Sequence, residues 1–261
     1  MMSRFNGNFV RMSSTEQIVA YHDADTPLTG VLYGRDPHRK LPGILLIHGG
    51  AGLDEHAREQ GRRWAALGYT VLACDMYGDG AAGDRQRVMG RLTALRDDPD
   101  LLAGRAQAGL DALRDQGATT GAYGVVGYCF GGLAALTLAR AGAGVAAAIS
   151  IHGSLATPRP ARPGTVTARV LACHGSADPH VPLEHVTAFA REMDGARADW
   201  RLIMYGGAMH GFTHRDARAG ATPGVAYDEV ADRRSFADAS RFLADAIDGA
   251  EPIDGAEPVD R

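Results

Sequence analysis

The feature that most constrains this chain is a rhythm: short continuous apolar runs, each ending in a cluster of glycine, histidine or acidic residues, alternate with segments of helical spacing. Gly43 to Ile47 reads G-I-L-L-I and stops at H-G-G-A-G. Glu55 to Leu67 follows with helical spacing, and Tyr69 to Ala73 reads Y-T-V-L-A, ending at Cys74 and Asp75. Apolar runs of that length without alternation belong to strands buried on both faces, the situation of a parallel sheet covered by helices. The rhythm predicts further strands at Gly124 to Tyr128, Val145 to Ile151, Val170 to Cys173 and Trp200 to Tyr205, and helices at Leu133 to Ala141, Leu183 to Asp194 and Glu229 to Asp248. Val88 to Gln116 holds two helical patterns broken near Asp98-Pro99, and Gln17 to about Tyr33, with its D-A-D-T-P turn, reads as a hairpin of edge strands. The expected class is α/β, a mostly parallel doubly wound sheet with helices on both faces.

One hydrophobic core serves a chain of up to about 250–300 residues, so 261 residues predict one domain over 1–248. The remaining 249–261 read as a frayed tail: I-D-G-A-E-P occurs twice in succession from Ile247. Lys+Arg 27 against Asp+Glu 31 leaves a net charge of -4 with no basic stripe, which excludes the counterion-releasing surface that nucleic acid requires. No apolar run approaches the ~20 residues of a membrane helix, and the N-terminus lacks an apolar leader. Three cysteines without a C-x-x-C pair suggest neither a disulfide framework nor a thiolate zinc site. A cytoplasmic protein without membrane contact is expected. No motif sets an oligomeric state.

Every polar cluster of interest falls after a strand, where open parallel sheets place their ligands. The sharpest is G-Y-C-F-G-G, Gly127 to Gly132, between the strand V-V-G-Y and the helix L-A-A-L-T-L-A. This is the pattern G-x-S-x-G with cysteine as nucleophile: glycines around Cys129 relieve a tight strand-to-helix turn that presents the side chain at a helix N-terminus. There the helix dipole lowers a thiol's pKa. A nucleophilic thiol needs a base and a group to orient that base, in the chain order nucleophile, acid, histidine. Asp178 in H-G-S-A-D-P and His210 in G-G-A-M-H-G-F meet that order, each after a predicted strand. The tetrahedral oxyanion of acyl transfer needs backbone donors, for which the N–H groups of Gly50, in H-G-G-A-G, and Phe130 are the expected pair; sequence leaves Gly49 open as the alternative to Gly50.

G-Y-C-F-G-G, H-G-S-A-D-P-H-V-P and Y-G-G-A-M-H-G-F, with the downstream A-Y-D-E-V-A-D-R-R-S-F helix, resemble the dienelactone hydrolase family of α/β-hydrolases from about Ile44 to Leu243. The resemblance implies a Cys-His-Asp triad on Cys129, His210 and Asp178, no metal or other cofactor, and hydrolysis of small lactones or esters. Two positions depart from it. Dienelactone hydrolases proper carry a Glu that gates the thiol where this chain has Gly49; Glu55 and Asp54 lie nearby, where helix capping explains them equally well. They also hold the substrate carboxylate with an Arg where this chain has His214, with Arg215 beside it.

His48, Tyr77, His152, Met209 and His214, at or just past strand ends, are the further expected substrate-binding residues, and the loops Tyr77 to Arg87 and Ser154 to Thr167 are expected to shape the pocket mouth. Histidines 48, 152, 174 and 210 share no i, i+4 metal-binding pair. Cys74 and Cys173 end buried strands and read as packed thiols. The expected chemistry is a thioester at Cys129 followed by hydrolysis, with esters and lactones ranked above amides. A cysteine-dependent acyl transferase, a redox thiol or a catalytically silent binding module on the same scaffold are the alternatives.

Overall fold

A computed structural model describes residues 16–36, 38–78 and 80–248; the expected tail at 249–261 lies outside the described residues. The elements run β1 (Gln17–Asp23), β2 (Thr26–Tyr33), β3 (Leu41–Ile47), α1 (Glu55–Ala65), β4 (Thr70–Cys74), α2 (Arg85–Asp97), α3 (Pro99–Arg114), β5 (Thr119–Tyr128), α4 (Phe130–Arg140), β6 (Ala147–Ile151), β7 (Arg169–Gly175), α5 (Leu183–Ala196), β8 (Trp200–Tyr205) and α6 (Glu229–Asp248). The eight strands form one sheet in the order β1-β2-β4-β3-β5-β6-β7-β8. β1 and β2 pair antiparallel, β2 meets β4 antiparallel, and the remaining pairs are parallel. This is the mostly parallel α/β sheet expected from the rhythm of buried runs, with the α/β-hydrolase architecture that the resemblance implies.

The continuous apolar runs are explained by two cores, one on each face. Successive residues of a strand point to opposite faces, so in β3 Leu45 and Ile47 join the core beneath α3, α4 and α5, while Ile44 and Leu46 join the core beneath α1 and α6. β4 divides the same way, Leu72 and Cys74 against Val71 and Ala73. With helices on both sides, the central strands are mostly apolar on both faces, with a few buried polar residues such as Ser150 of β6 and Thr70 of β4.

Helix starts are set by local chemistry. Asp54 caps α1 by accepting from Ala57 N–H at 3.0 Å. Asp98 ends α2 and caps α3, accepting from Asp100 and Leu101 N–H with Pro99 at the first helical position, where its missing N–H costs nothing. Arg105 of α3 is buried, and its guanidinium holds the Asp23 carboxylate at 2.7 Å and the Met76 carbonyl at 2.9 Å, tying the β1–β2 turn to the end of β4. Among the described residues no helix is long and apolar enough to cross a membrane.

Candidate active site

β5 leads into α4 through a single residue, Cys129, whose backbone sits at φ 54°, ψ −114°. A non-glycine residue there carries strain on the order of 1–3 kcal/mol, and the surrounding glycines make the conformation possible. A β-carbon on Gly127 would lie 1.8 Å from the Gly131 carbonyl oxygen, and one on Gly131 would lie 2.2 Å from that of Ile47. Such approaches are open only to glycine. The turn lifts the thiol above the carboxyl end of the sheet, at the N-terminus of α4.

His210 reaches this thiol from the loop after β8. Its Nε2 lies 3.0 Å from Cys129 Sγ, and its Nδ1 lies 2.8 Å from Oδ2 of Asp178, in the loop after β7. The other Asp178 oxygen accepts from His180 N–H at 2.8 Å. Burial pushes the Cys129 thiol up, but the His210 hydrogen bond and charge and the N–H groups of Gly50 and Phe130 outweigh it and hold the thiol below its ordinary value. Burial alone would lower His210; Asp178 and Cys129 together raise it to about 10. Both shifts favour the thiolate–imidazolium form of the pair. For Asp178 the burial penalty is likewise outweighed by His210, and its carboxyl stays below the usual range.

The backbone N–H groups of Gly50 and Phe130 both interact with the Cys129 thiol and lower its pKa, which favours Gly50 over Gly49. His48 explains the orientation. Met76 N–H donates to His48 Nε2 at 3.1 Å, so the ring proton is on Nδ1 and is donated to the Gly49 carbonyl at 2.7 Å. Carbonyl and N–H of one trans peptide point in opposite directions, so fixing the Gly49 oxygen aims the Gly50 N–H at Cys129.

His48, Tyr77 and His152 therefore differ from the expectation that they meet substrate. They are 0%, 1% and 0% exposed. His48 is used as above, the Tyr77 hydroxyl donates to the Gly50 carbonyl at 3.0 Å, and His152 Nε2 meets Thr213 Oγ1 at 2.8 Å. They brace the loops around the thiol from behind. Met209 is 39% exposed beside His210. The ring of His214 lies beside Gly49 and Cys129. Arg215 points outward to Glu59 at 3.3 Å. Neither nearby carboxylate reaches the thiol: Asp54 is engaged as a helix cap and Glu55 pairs with Arg62 at 2.7 Å in solvent.

Of the two loops expected at the mouth, the first sits there: Ala82 approaches Gly52, and Leu92 of α2 approaches Gly50. The second does not. Ala161 N–H donates to Glu192 at 2.8 Å and the Leu155 carbonyl accepts from Arg140 at 3.0 Å, which pins 154–167 to α5 and to the end of α4 remote from Cys129. That end is about 16 Å away at 1.5 Å per residue. His56 and Thr213 were missed by sequence reasoning. His56, on α1, stacks on His214 with centroids 3.6 Å apart and meets Thr213 Oγ1 at 2.9 Å. Its position in the first turn of an amphipathic helix gave no sign of this. His180, whose ring lies 5.1 Å from that of His210, was also missed, although D-P-H placed it two residues from Asp178.

Sheet order, elbow and strand-end loops together define an α/β-hydrolase. The dienelactone hydrolase family model matches residues 28–247, and the chain belongs to that family. Among solved structures it is similar to one designated m3DLH, at 36% identity over 90% of this chain and 99% of that one, with a TM-score of 0.83. It is similar also to a dienelactone hydrolase-like promiscuous phosphotriesterase from metagenomic libraries, at 33% identity over 89% and 98% of the two chains, with a TM-score of 0.81. An uncharacterized protein of Caenorhabditis elegans is 37% identical over 127 residues, 48% of this chain and 80% of that one.

Proposed function

We propose that this hydrolase cleaves small carboxylic esters or lactones through a thioester at Cys129, with His210 as acid and base and Asp178 as its orienting partner. The observation that carries the reading is the contact of 3.0 Å between Sγ and His210 Nε2, continued at 2.8 Å to Asp178, on a thiol held below its ordinary pKa. The thiolate attacks the carbonyl carbon. The oxyanion takes the N–H groups of Gly50 and Phe130, a stabilisation worth about 3–4 kcal/mol per donor in comparable sites. His210 gives its Nε2 proton to the departing alkoxide. Water then attacks the thioester, His210 takes its proton, and the C–S bond breaks to restore the thiolate. The chemistry calls for no metal, and we assign the protein to a reducing compartment such as the cytoplasm, where three free thiols persist.

Cys129→Ala should abolish hydrolysis of p-nitrophenyl acetate and of a small aryl lactone, a loss of at least about 10³-fold, while circular dichroism stays that of the wild type. Turnover that survives the substitution would refute the reading. The 33% identical relative named a phosphotriesterase supports a second, subsidiary activity: the same thiolate and N–H pair suit attack at a neutral phosphotriester. Paraoxon hydrolysis lost in the same variant would establish it.

A further inference from the structure

The ring of His214 has no assigned task in the acyl-transfer cycle, yet it is held with care. Its face stacks on His56 at an interplanar angle of 20°. His56 Nε2 meets Thr213 Oγ1, which also meets His152 Nε2, so the stacking partner is fixed through α1 and the loop after β6 at once. Among the described residues neither nitrogen of His214 has a hydrogen-bond partner. The ring is positioned by its face, and its polar edge is left over.

That edge points somewhere specific. A β-carbon on Gly49 would have His214 Nε2 at 3.6 Å, the Tyr128 carbonyl oxygen at 3.6 Å and Cys129 Cβ at 3.7 Å, all ordinary contact distances. The glycine thus keeps open a small space bounded by the β-carbon of Cys129 on one side and the unpartnered Nε2 of His214 on the other. We propose that His214 holds the water that releases the acyl group from Cys129, its Nε2 accepting one hydrogen of that water while His210 accepts the other. The proposal rests on the thioester reading above. A water whose two hydrogens are both engaged turns a lone pair toward the thioester carbon, and such positioning lowers the barrier by fixing orientation.

Electrostatics agree with this division. Burial, with the charge on nearby His210, holds His214 below its ordinary pKa, so the ring is neutral and its Nε2 is able to accept when the proton sits on Nδ1. Arg215, directed to Glu59, brings no cation into the space. The step balances. Water oxygen bonds the acyl carbon, its proton passes to His210, and the C–S bond breaks with its electron pair returning to sulfur. His214 keeps its own proton throughout.

The test is stopped-flow hydrolysis of p-nitrophenyl acetate by the full-length wild type, His214→Phe and His214→Gln, with intact-mass analysis of quenched samples. Phe keeps the stack on His56 and removes the acceptor; Gln restores an acceptor. The expected result for His214→Phe is an acylation rate within about twofold of wild type, a steady-state rate lower by at least about tenfold, and acetylated Cys129 accumulating. His214→Gln should recover part of the slow step. Equal loss in acylation and turnover, which a substrate-binding role produces, would overturn the proposal, as would an unchanged steady state or a slowed one without the acetyl adduct. Failure of the thioester reading itself shows differently, as turnover retained in Cys129→Ala, and the proposal falls with it.

Discussion

Cys129 shows how far one residue's reactivity is made by its surroundings. Cys74 and Cys173 are equally thiols, but burial without a positive partner pushes both up, Cys173 to about 12, whereas His210 and two N–H groups bring Cys129 down. Thiolate–imidazolium chemistry then has a defined pH window. A raised folded pKa at His210 means the proton is retained until pH climbs through about 10, and a depressed one at Cys129 means the thiolate persists until pH falls through that lowered value. Inactivation by iodoacetamide should therefore titrate with an acid limb below the ordinary thiol value of about 8.5, and mapping should find the label on Cys129 alone. An acid limb at the ordinary value would show that the pair does not form. The three strand-end residues were legible because each sits in a short motif with its own backbone reason. His48 was legible as a site residue but not in its role, since only the fold shows that its ring spans from Met76 to Gly49.

At the scale of elements, glycines decide what approaches what. Strands β3, β4 and β7 were readable from apolar runs because burial on both faces favours apolar residues at nearly every position. β5 begins at Thr119 rather than the expected Gly124: its first half is polar, includes Gly121 at φ 94°, and pairs with β3 across a register shift. α4 begins at Phe130, three residues before the apolar helical pattern, because Gly131 and Gly132 lower helix propensity yet are required for close packing on β3 and β6. Gly131→Ala should destabilise the protein by more than about 3 kcal/mol in urea unfolding, since backbone, not a yielding side chain, stands in the way. Gly104, exposed in the middle of α3 with nothing near its Cβ position, is the contrast. Gly104→Ala should stabilise by about 0.5–1 kcal/mol. A similar cost at both positions would mean that the close packing around Gly131 is not what the glycine serves.

At the scale of the whole molecule, the histidines around the thiol couple the site to global stability. His56, His152 and His214 are held neutral, each lowered first by burial, His56 to about 3, with Asp54 partly opposing the shift at His214. In the unfolded chain each takes a proton near pH 6.5, so below that pH the unfolded state binds more protons and stability falls as pH drops, by up to about 1.4 kcal/mol per pH unit for a residue such as His56 whose folded value lies far lower. Urea midpoints measured between pH 7.5 and 5.5 should drop steeply below about 6.5. A flat profile would show these rings to be hydrated and protonated in the folded state. Neither this cluster nor its consequence is visible in the sequence, because its members come from α1, the loop after β6 and the loop after β8. The same dispersion governs when the thiol becomes dangerous. Cys129 and His210 stand 81 positions apart, and ribosomes add about 5–20 residues per second. A nascent chain thus carries its cysteine unpartnered for several seconds, and His210 emerges last of the three residues, after Cys129 and Asp178.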